Sequence, residues 1–183
     1  MALISGLAKM VNNIPGIGLP EITETKTDWK SSLLSGRKGN DPVTLHLGKM
    51  QNSNTLLISE SDFSEKLAIK NVRELINSDS LTLGYPMYYI KEALGLKEIP
   101  LNTAYPLLYR SASVILEAER LHIQNAVLIL HTSDPSKVIT NSYEDFADLL
   151  CSGHQLNYFH QSQQRSRANF YFGLFNTNHN QIH

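Results

Sequence analysis

The sequence predicts an α/β fold, a mixed β-sheet flanked by helices, and three segments carry that expectation. Val43, Leu45 and Leu47 alternate with Thr44 and His46, and the turn signal Asn52-Ser53-Asn54 separates them from Thr55-Leu56-Leu57-Ile58. That pattern reads as an antiparallel hairpin. Ala104, Leu107, Leu108, Ala112, Ile115 and Ala118 recur at steps of three and four, the signature of a helix with one buried face. Ala126-Val127-Leu128-Ile129-Leu130 is an apolar run short enough to be a strand buried on both faces.

The remaining elements follow in chain order. Leu3, Leu7, Met10, Val11 and Ile14 fall at helical spacing before Pro15-Gly16-Ile17-Gly18-Leu19-Pro20 breaks the pattern. Residues 1–20 therefore read as an N-terminal amphipathic arm, packed on its own domain or against a second copy. Thr27-Asp28-Trp29-Lys30 opens a short helical segment that Gly36 ends, with Trp29 in the core. From Ser64 a helix is expected, with Leu67, Val72, Leu75 and Ile76 on one face; another runs from Pro86 to Leu94 and stops at Gly95. Asn102 or Thr103 serves as N-cap of the strong helix that follows. Ser142-Tyr143-Glu144-Asp145 has capping-box spacing and opens a helix through Leu150. Phe170 to Phe175 forms a last aromatic strand, and residues 177–183 read as a flexible tail. Residues 21–176 thus make one α/β domain.

Composition narrows the class. The chain has 183 residues, a formal net charge of −1, 42% apolar residues and 18% charged residues, which suits one ordinary core. A single cysteine, Cys151, allows no internal disulfide and no zinc knuckle of paired cysteines. No apolar run approaches the roughly 20 residues of a membrane-spanning helix, so the expectation is a soluble, cytoplasmic protein without a membrane partner. The near-zero charge means that any nucleic-acid binding must come from a local patch.

Three carboxylates stand out as candidate chemistry. Alternation along Ser59-Glu60-Ser61-Asp62 puts Glu60 and Asp62 on one face, with Cα atoms about 6–7 Å apart. Asp41 begins the preceding strand, which an antiparallel hairpin lays beside the end of the next. Such a cluster suits a hard cation that takes oxygen ligands, Mg²⁺ or Mn²⁺. The competing reading is structural: Asp62-Phe63-Ser64-Glu65 is itself a capping box, and Asp41-Pro42 is a common turn opening. Arg110, beside Tyr109, faces phosphate or pairs with Glu117 or Glu119. Arg165 and Arg167, near Gln161, Gln163 and Gln164, combine phosphate-binding and base-reading residue types, or form a solvated loop. His154, His160, His179 and His183 lack a tight ligand spacing, and Cys151 reads as a buried helix-end thiol.

The run Tyr105-Pro106-Leu107-Leu108-Tyr109-Arg110-Ser111-Ala112-Ser113, continuing through Glu117-Ala118-Glu119-Arg120 to Ala126-Val127-Leu128-Ile129-Leu130-His131, resembles a bacterial family associated with the PD-(D/E)XK, or restriction endonuclease-like, superfamily. The resemblance extends from about Gly36 to Phe175 and is strongest from Tyr105 to His131. It implies a restriction endonuclease-like core in which an Asp on one strand and a (D/E)-x-K motif on the next bind the metal. Asn40-Asp41 resembles the first acid, and Glu60-Ser61-Asp62 falls where the second motif belongs.

The sequence departs from that motif at Asp62, which stands where the superfamily has lysine. Some restriction enzymes carry an acid there in a similar Glu-Ser-Glu arrangement. Lys66, one helical turn on, is a candidate replacement cation or a solvent-facing lysine. The resemblance implies a metal-dependent endonuclease acting on DNA, a restriction or defence enzyme working as a homodimer. Asp41, Glu60 and Asp62 are its metal ligands and catalytic residues, with Arg110, Arg165 and Arg167 toward nucleic acid. The alternative is a silent nuclease-like domain that binds nucleic acid or a protein partner.

Overall fold

The structure is a computed structural model that describes residues 21–29, 43–50, 53–60, 63–78, 84–133 and 135–176. Three strands come first: β1 (Glu21–Trp29), β2 (Val43–Met50) and β3 (Ser53–Glu60). Two short helices, α1 (Glu65–Ala68) and α2 (Val72–Ser78), lead to α3 (Gly84–Leu94) and the long α4 (Tyr105–Arg120). The chain then alternates through β4 (Asn125–Thr132), α5 (Lys137–Leu150), the two-residue β5 (His160–Gln161) and β6 (Asn169–Asn176). The strands form one sheet in the order β1-β2-β3-β4-β6-β5. It is mixed, as the sequence predicts: β1, β2 and β3 are antiparallel, β3, β4 and β6 run parallel, and β5 is antiparallel to β6.

The central strands read as continuous apolar runs because both of their faces are covered. One face joins Leu56, Ile58, Leu128, Phe172 and Leu174 to Leu108, Ala112 and Ile115 of α4 and to Phe146 of α5. The other groups Leu57, Val127, Ile129 and Phe175, with Phe159 and Tyr171 packed against them. Every residue of β4 is buried. Where the three parallel strands start, Asn125 Nδ2 donates to Thr55 Oγ1 at 3.5 Å and Asn169 Nδ2 donates to Asn125 Oδ1 at 3.1 Å. This polar ladder fixes the register, since a one-residue slip would turn each amide to the opposite face.

The hairpin is present, with Met50 opposite Ser53, so Ser53 and Asn54 belong to β3 and not to a turn. Thr27-Asp28-Trp29, expected to open a helix, instead ends strand β1. Ile22, Thr23, Thr25 and Thr27 are β-branched and favour the extended chain, and Ile22 and Thr25 pair with Gly48 and His46 of β2, with register shifts between Ile22 and Glu24 and between Lys26 and Trp29. The expected N-terminal arm (1–20), the segment through Gly36 and the tail (177–183) lie outside the described residues.

Helix boundaries moved for tertiary reasons. The single helix expected from Ser64 is two, broken at residues 69–71. Asn71 Oδ1 accepts from Glu74 N at 2.9 Å as the cap of α2, and the amides of Val72 and Arg73 donate to the carbonyls of Thr103 and Leu101 at 3.1 and 2.9 Å. Neither Asn102 nor Thr103 caps α4: the cap position is Ala104, and Tyr105 N donates to Lys70 O at 2.8 Å. Helix α5 starts earlier than expected, behind Ser136, whose Oγ accepts from Ile139 N. Ser142 is interior, its hydroxyl donating to Ala68 O at 3.0 Å. The apolar stripe Ile139, Tyr143, Phe146, Ala147, Leu150 explains the longer helix.

Candidate functional site

Sheet polarity defines two edges. Strands β3, β4 and β6 all end at one, the carboxyl edge, at Glu60, Thr132 and Asn176. Ligands of α/β sheets bind beyond the carboxyl ends of the strands. Helix α4 leads into β4 and α5 leaves it, so both helices start at this edge and bring their positive dipole ends to it.

Of the three expected ligands, Glu60 is the last residue of β3, in register with Leu130 of β4. Asp41 and Asp62 lie outside the described residues. The residues flanking Ser61-Asp62 are both fixed to β4, because Phe63 N donates to His131 O at 2.6 Å. Phe63 is fully buried and serves as the anchor. Among the described residues, no three His, Cys, Asp or Glu side chains form a metal-holding group.

Tyr109 and Arg110 occupy the second turn of α4, toward the same edge. The Arg110 side chain is buried, at 7% exposure, and burial raises the Tyr109 hydroxyl pKa above its ordinary value. Glu117 and Glu119 take other partners: Arg120 forks onto Glu117 through Nε and Nη2, and Arg167 Nη1 donates to Glu119 at 2.9 Å. Lys66 is exposed on α1, the solvent-facing alternative of the sequence reading.

Arg165 and Arg167 come to the amino edge, where the parallel strands start. A Cβ on Gly95, just past α3, would lie 2.5 Å from Arg165 O, and Gly95 has φ +70°, a left-handed conformation that ends the helix. Arg167 N donates to Ala93 O at 3.4 Å and Gln163 N to Leu150 O at 2.6 Å, while Gln164 Nε2 donates to Leu149 O at 2.8 Å. This loop therefore caps the carboxyl ends of α3 and α5. Arginines there complement the negative ends of the helix dipoles. Five residue steps along β3, about 16 Å, separate Thr55 at that edge from Glu60.

His131, at the carboxyl end of β4, is a buried polar residue to which the sequence reading assigned no role. It is 4% exposed, and its Nε2 has no hydrogen-bond partner among the described residues. Burial pushes its pKa down to about 4, so the imidazole is neutral at pH 7. Its ring lies 6.3 Å from that of Phe175. The signal was a lone histidine closing an otherwise apolar strand. Two other histidines have a polar neighbour: His154 Nδ1 lies 3.1 Å from Asp148 Oδ1, and His160 Nε2 lies 3.0 Å from Gln155 O. His179 and His183 lie outside the described residues. Cys151 is half-buried at the C-cap of α5, with its thiol pKa raised by burial and by Asp148.

These features define a mixed α/β domain with a carboxyl edge flanked by two helix N-termini. The chain belongs to the family described as domain of unknown function DUF6946, whose model matches residues 24–179. No curated protein and no solved structure matches it. Among the described residues, no helix is long and apolar enough to cross a membrane.

Proposed function

We propose that this protein is a metal-dependent endonuclease of the PD-(D/E)XK type, hydrolysing phosphodiester bonds in cytoplasmic DNA as a restriction or defence enzyme. The observation that carries the proposal is topological. An antiparallel meander β1-β2-β3 is followed by a helical crossover into a parallel β4, and Glu60 closes β3 at the carboxyl edge. This order supports a restriction endonuclease-like core, with an acid before one strand, an acidic motif closing the next, and a helix and strand completing it.

The donor set Asp41, Glu60 and Asp62 is all carboxylate, the chemistry that fits Mg²⁺ or Mn²⁺. When bound, such an ion polarises the phosphodiester and lowers the pKa of a coordinated water. Asp62, in place of the lysine, would serve as an additional ligand or as general base toward the attacking water. Arg110 opposes the phosphate charge from the second turn of α4. Cleavage leaves a 5′-phosphate and a 3′-hydroxyl. A homodimer places two sites on the two strands by two-fold symmetry.

The test is incubation of supercoiled plasmid with protein and Mg²⁺ or Mn²⁺, beside Asp41→Ala and Glu60→Ala. Nicked or linear product from the unmutated protein, absent from both variants, supports the reading. Intact plasmid across several DNA substrates supports the silent-domain alternative, which the Asp62 departure favours.

A further inference from the structure

Both edges of the sheet carry basic residues, and they differ in what holds the charge. At the amino edge Arg120 is bound to Glu117 and Arg167 to Glu119, leaving Arg165 exposed with no ion pair among the described residues. At the carboxyl edge Lys66, Lys70 and Lys137 are all exposed, and none forms an ion pair among the described residues.

The three lysines ride on elements tied to one another. Lys70 O accepts from Tyr105 N, the first residue of α4, at 2.8 Å, and Ala68 O accepts from Ser142 Oγ of α5 at 3.0 Å. The segment that holds Lys66 and Lys70 on either side of Ala68 therefore joins the start of α4 to the second turn of α5. Lys137 is the first residue of α5. Residues 63–78 and 135–140 carry Lys66, Lys70, Arg73 and Lys137 against Glu65 and Glu74, with Glu60 ending β3 at the same edge. The two helix N-termini add partial positive charge. Exposed cations without partners hold a counter-anion atmosphere, and a polyanion that displaces it gains the free energy of ion release.

We infer that Lys66, Lys70 and Lys137 form the face by which the carboxyl edge takes the phosphate backbone of duplex DNA. The identity of the polyanion rests on the nuclease reading above; the face itself rests on the unpaired charge. Of the amino-edge arginines, Arg120 and Arg167 are neutralised by their own acids and contribute little, and Arg165 stands alone against the three lysines.

The experiment is fluorescence anisotropy of a labelled 20-base-pair duplex over a series of NaCl concentrations, in EDTA so that no cleavage occurs. It compares the unmutated protein, a Lys66→Gln/Lys70→Gln/Lys137→Gln triple variant and an Arg165→Gln/Arg167→Gln double variant. Circular dichroism melting establishes that each is folded. All the substitutions are at exposed positions, so melting is expected to be unchanged in the triple variant and lowered by no more than about 4 °C in the double variant, which loses the Arg167–Glu119 pair. Each lost phosphate contact removes about 0.9 from the slope of log K against log salt. The triple variant is expected to bind about tenfold or more weakly, with the slope reduced by about 2–3, while the double variant stays within about twofold. The inference is overturned if the unmutated protein does not bind, if the triple variant binds like it, or if the double variant loses as much. Lysine-dependent binding without plasmid cleavage would retain this face and remove the nuclease reading.

Discussion

The two edges of the parallel strands are built from similar residue types and put them to opposite uses. At the amino edge polar groups are consumed: Asn125, Thr55 and Asn169 bond to one another, the 161–168 loop takes the last carbonyls of α3 and α5, and Arg120 and Arg167 are paired. At the carboxyl edge, among the described residues, His131 Nε2 has no hydrogen-bond partner and Lys66, Lys70 and Lys137 form no ion pair. Hydrogen-bonded groups contribute to stability and a buried group without a partner, such as His131 Nε2, costs it, whereas exposed lysines are solvated and stay available to a partner. The same arginine that looks like a DNA contact in the sequence is a helix-end brace once its edge is known.

The largest effect expected from breaking this contrast is catalytic. Glu60→Ala should reduce plasmid cleavage by about 1,000-fold or more while leaving the melting temperature nearly unchanged, the order expected when a general acid-base or metal-ligand group is removed. Asn125→Ala should do the reverse, lowering stability by about 1–2 kcal/mol through the partners it leaves unsatisfied, with little direct effect on chemistry. Equal loss of stability in both variants would erase the distinction between the edges.

Next comes the pH dependence of His131. Its folded-state pKa, pushed down to about 4, lies below the unfolded value of about 6.5, so the unfolded chain binds the proton first. Stability associated with the neutral ring is therefore complete above about pH 6.5 and falls as pH drops toward 4, by up to about 3 kcal/mol. Denaturant melts of His131→Leu between pH 7 and pH 4.5 should show a correspondingly flatter profile. An unchanged slope would mean that other groups carry the acid sensitivity.

At the amino edge, Gly95→Ala puts a methyl 2.5 Å from Arg165 O at a φ of +70°. It should destabilise by about 1–3 kcal/mol, read as a lower denaturant midpoint. Arg167→Ala, which removes a partly exposed pair with Glu119, should cost about 1 kcal/mol or less.

The fold was legible where burial decides the residue types. β4 and β6 are enclosed, so their apolar runs name them, and the stripe on α4 follows its packing against β3 and β4. Strand β1 was misread because Glu21 to Trp29 alternates charged and β-branched residues without an apolar stripe. The break between α1 and α2 was hidden because the carbonyls that accept from Val72 and Arg73 come from the 101–103 segment, some thirty residues away. The position of Glu60 at a strand end followed from hairpin alternation alone. The edge assigned to Arg165 and Arg167 did not, since it depends on a backbone approach between Gly95 and Arg165 that no local pattern encodes.

The most direct test of a metal-holding carboxyl edge needs no knowledge of the DNA sequence recognised. Melting temperature is followed with and without saturating Mn²⁺ or Mg²⁺, in the unmutated protein and in Glu60→Ala. A cation at about one hundred times its Kd adds about 2.7 kcal/mol to the folded state, which for a chain of this size raises Tm by about 5–10 °C. The account predicts that rise in the unmutated protein and its loss in Glu60→Ala; an equal shift in both, or none in either, would contradict it.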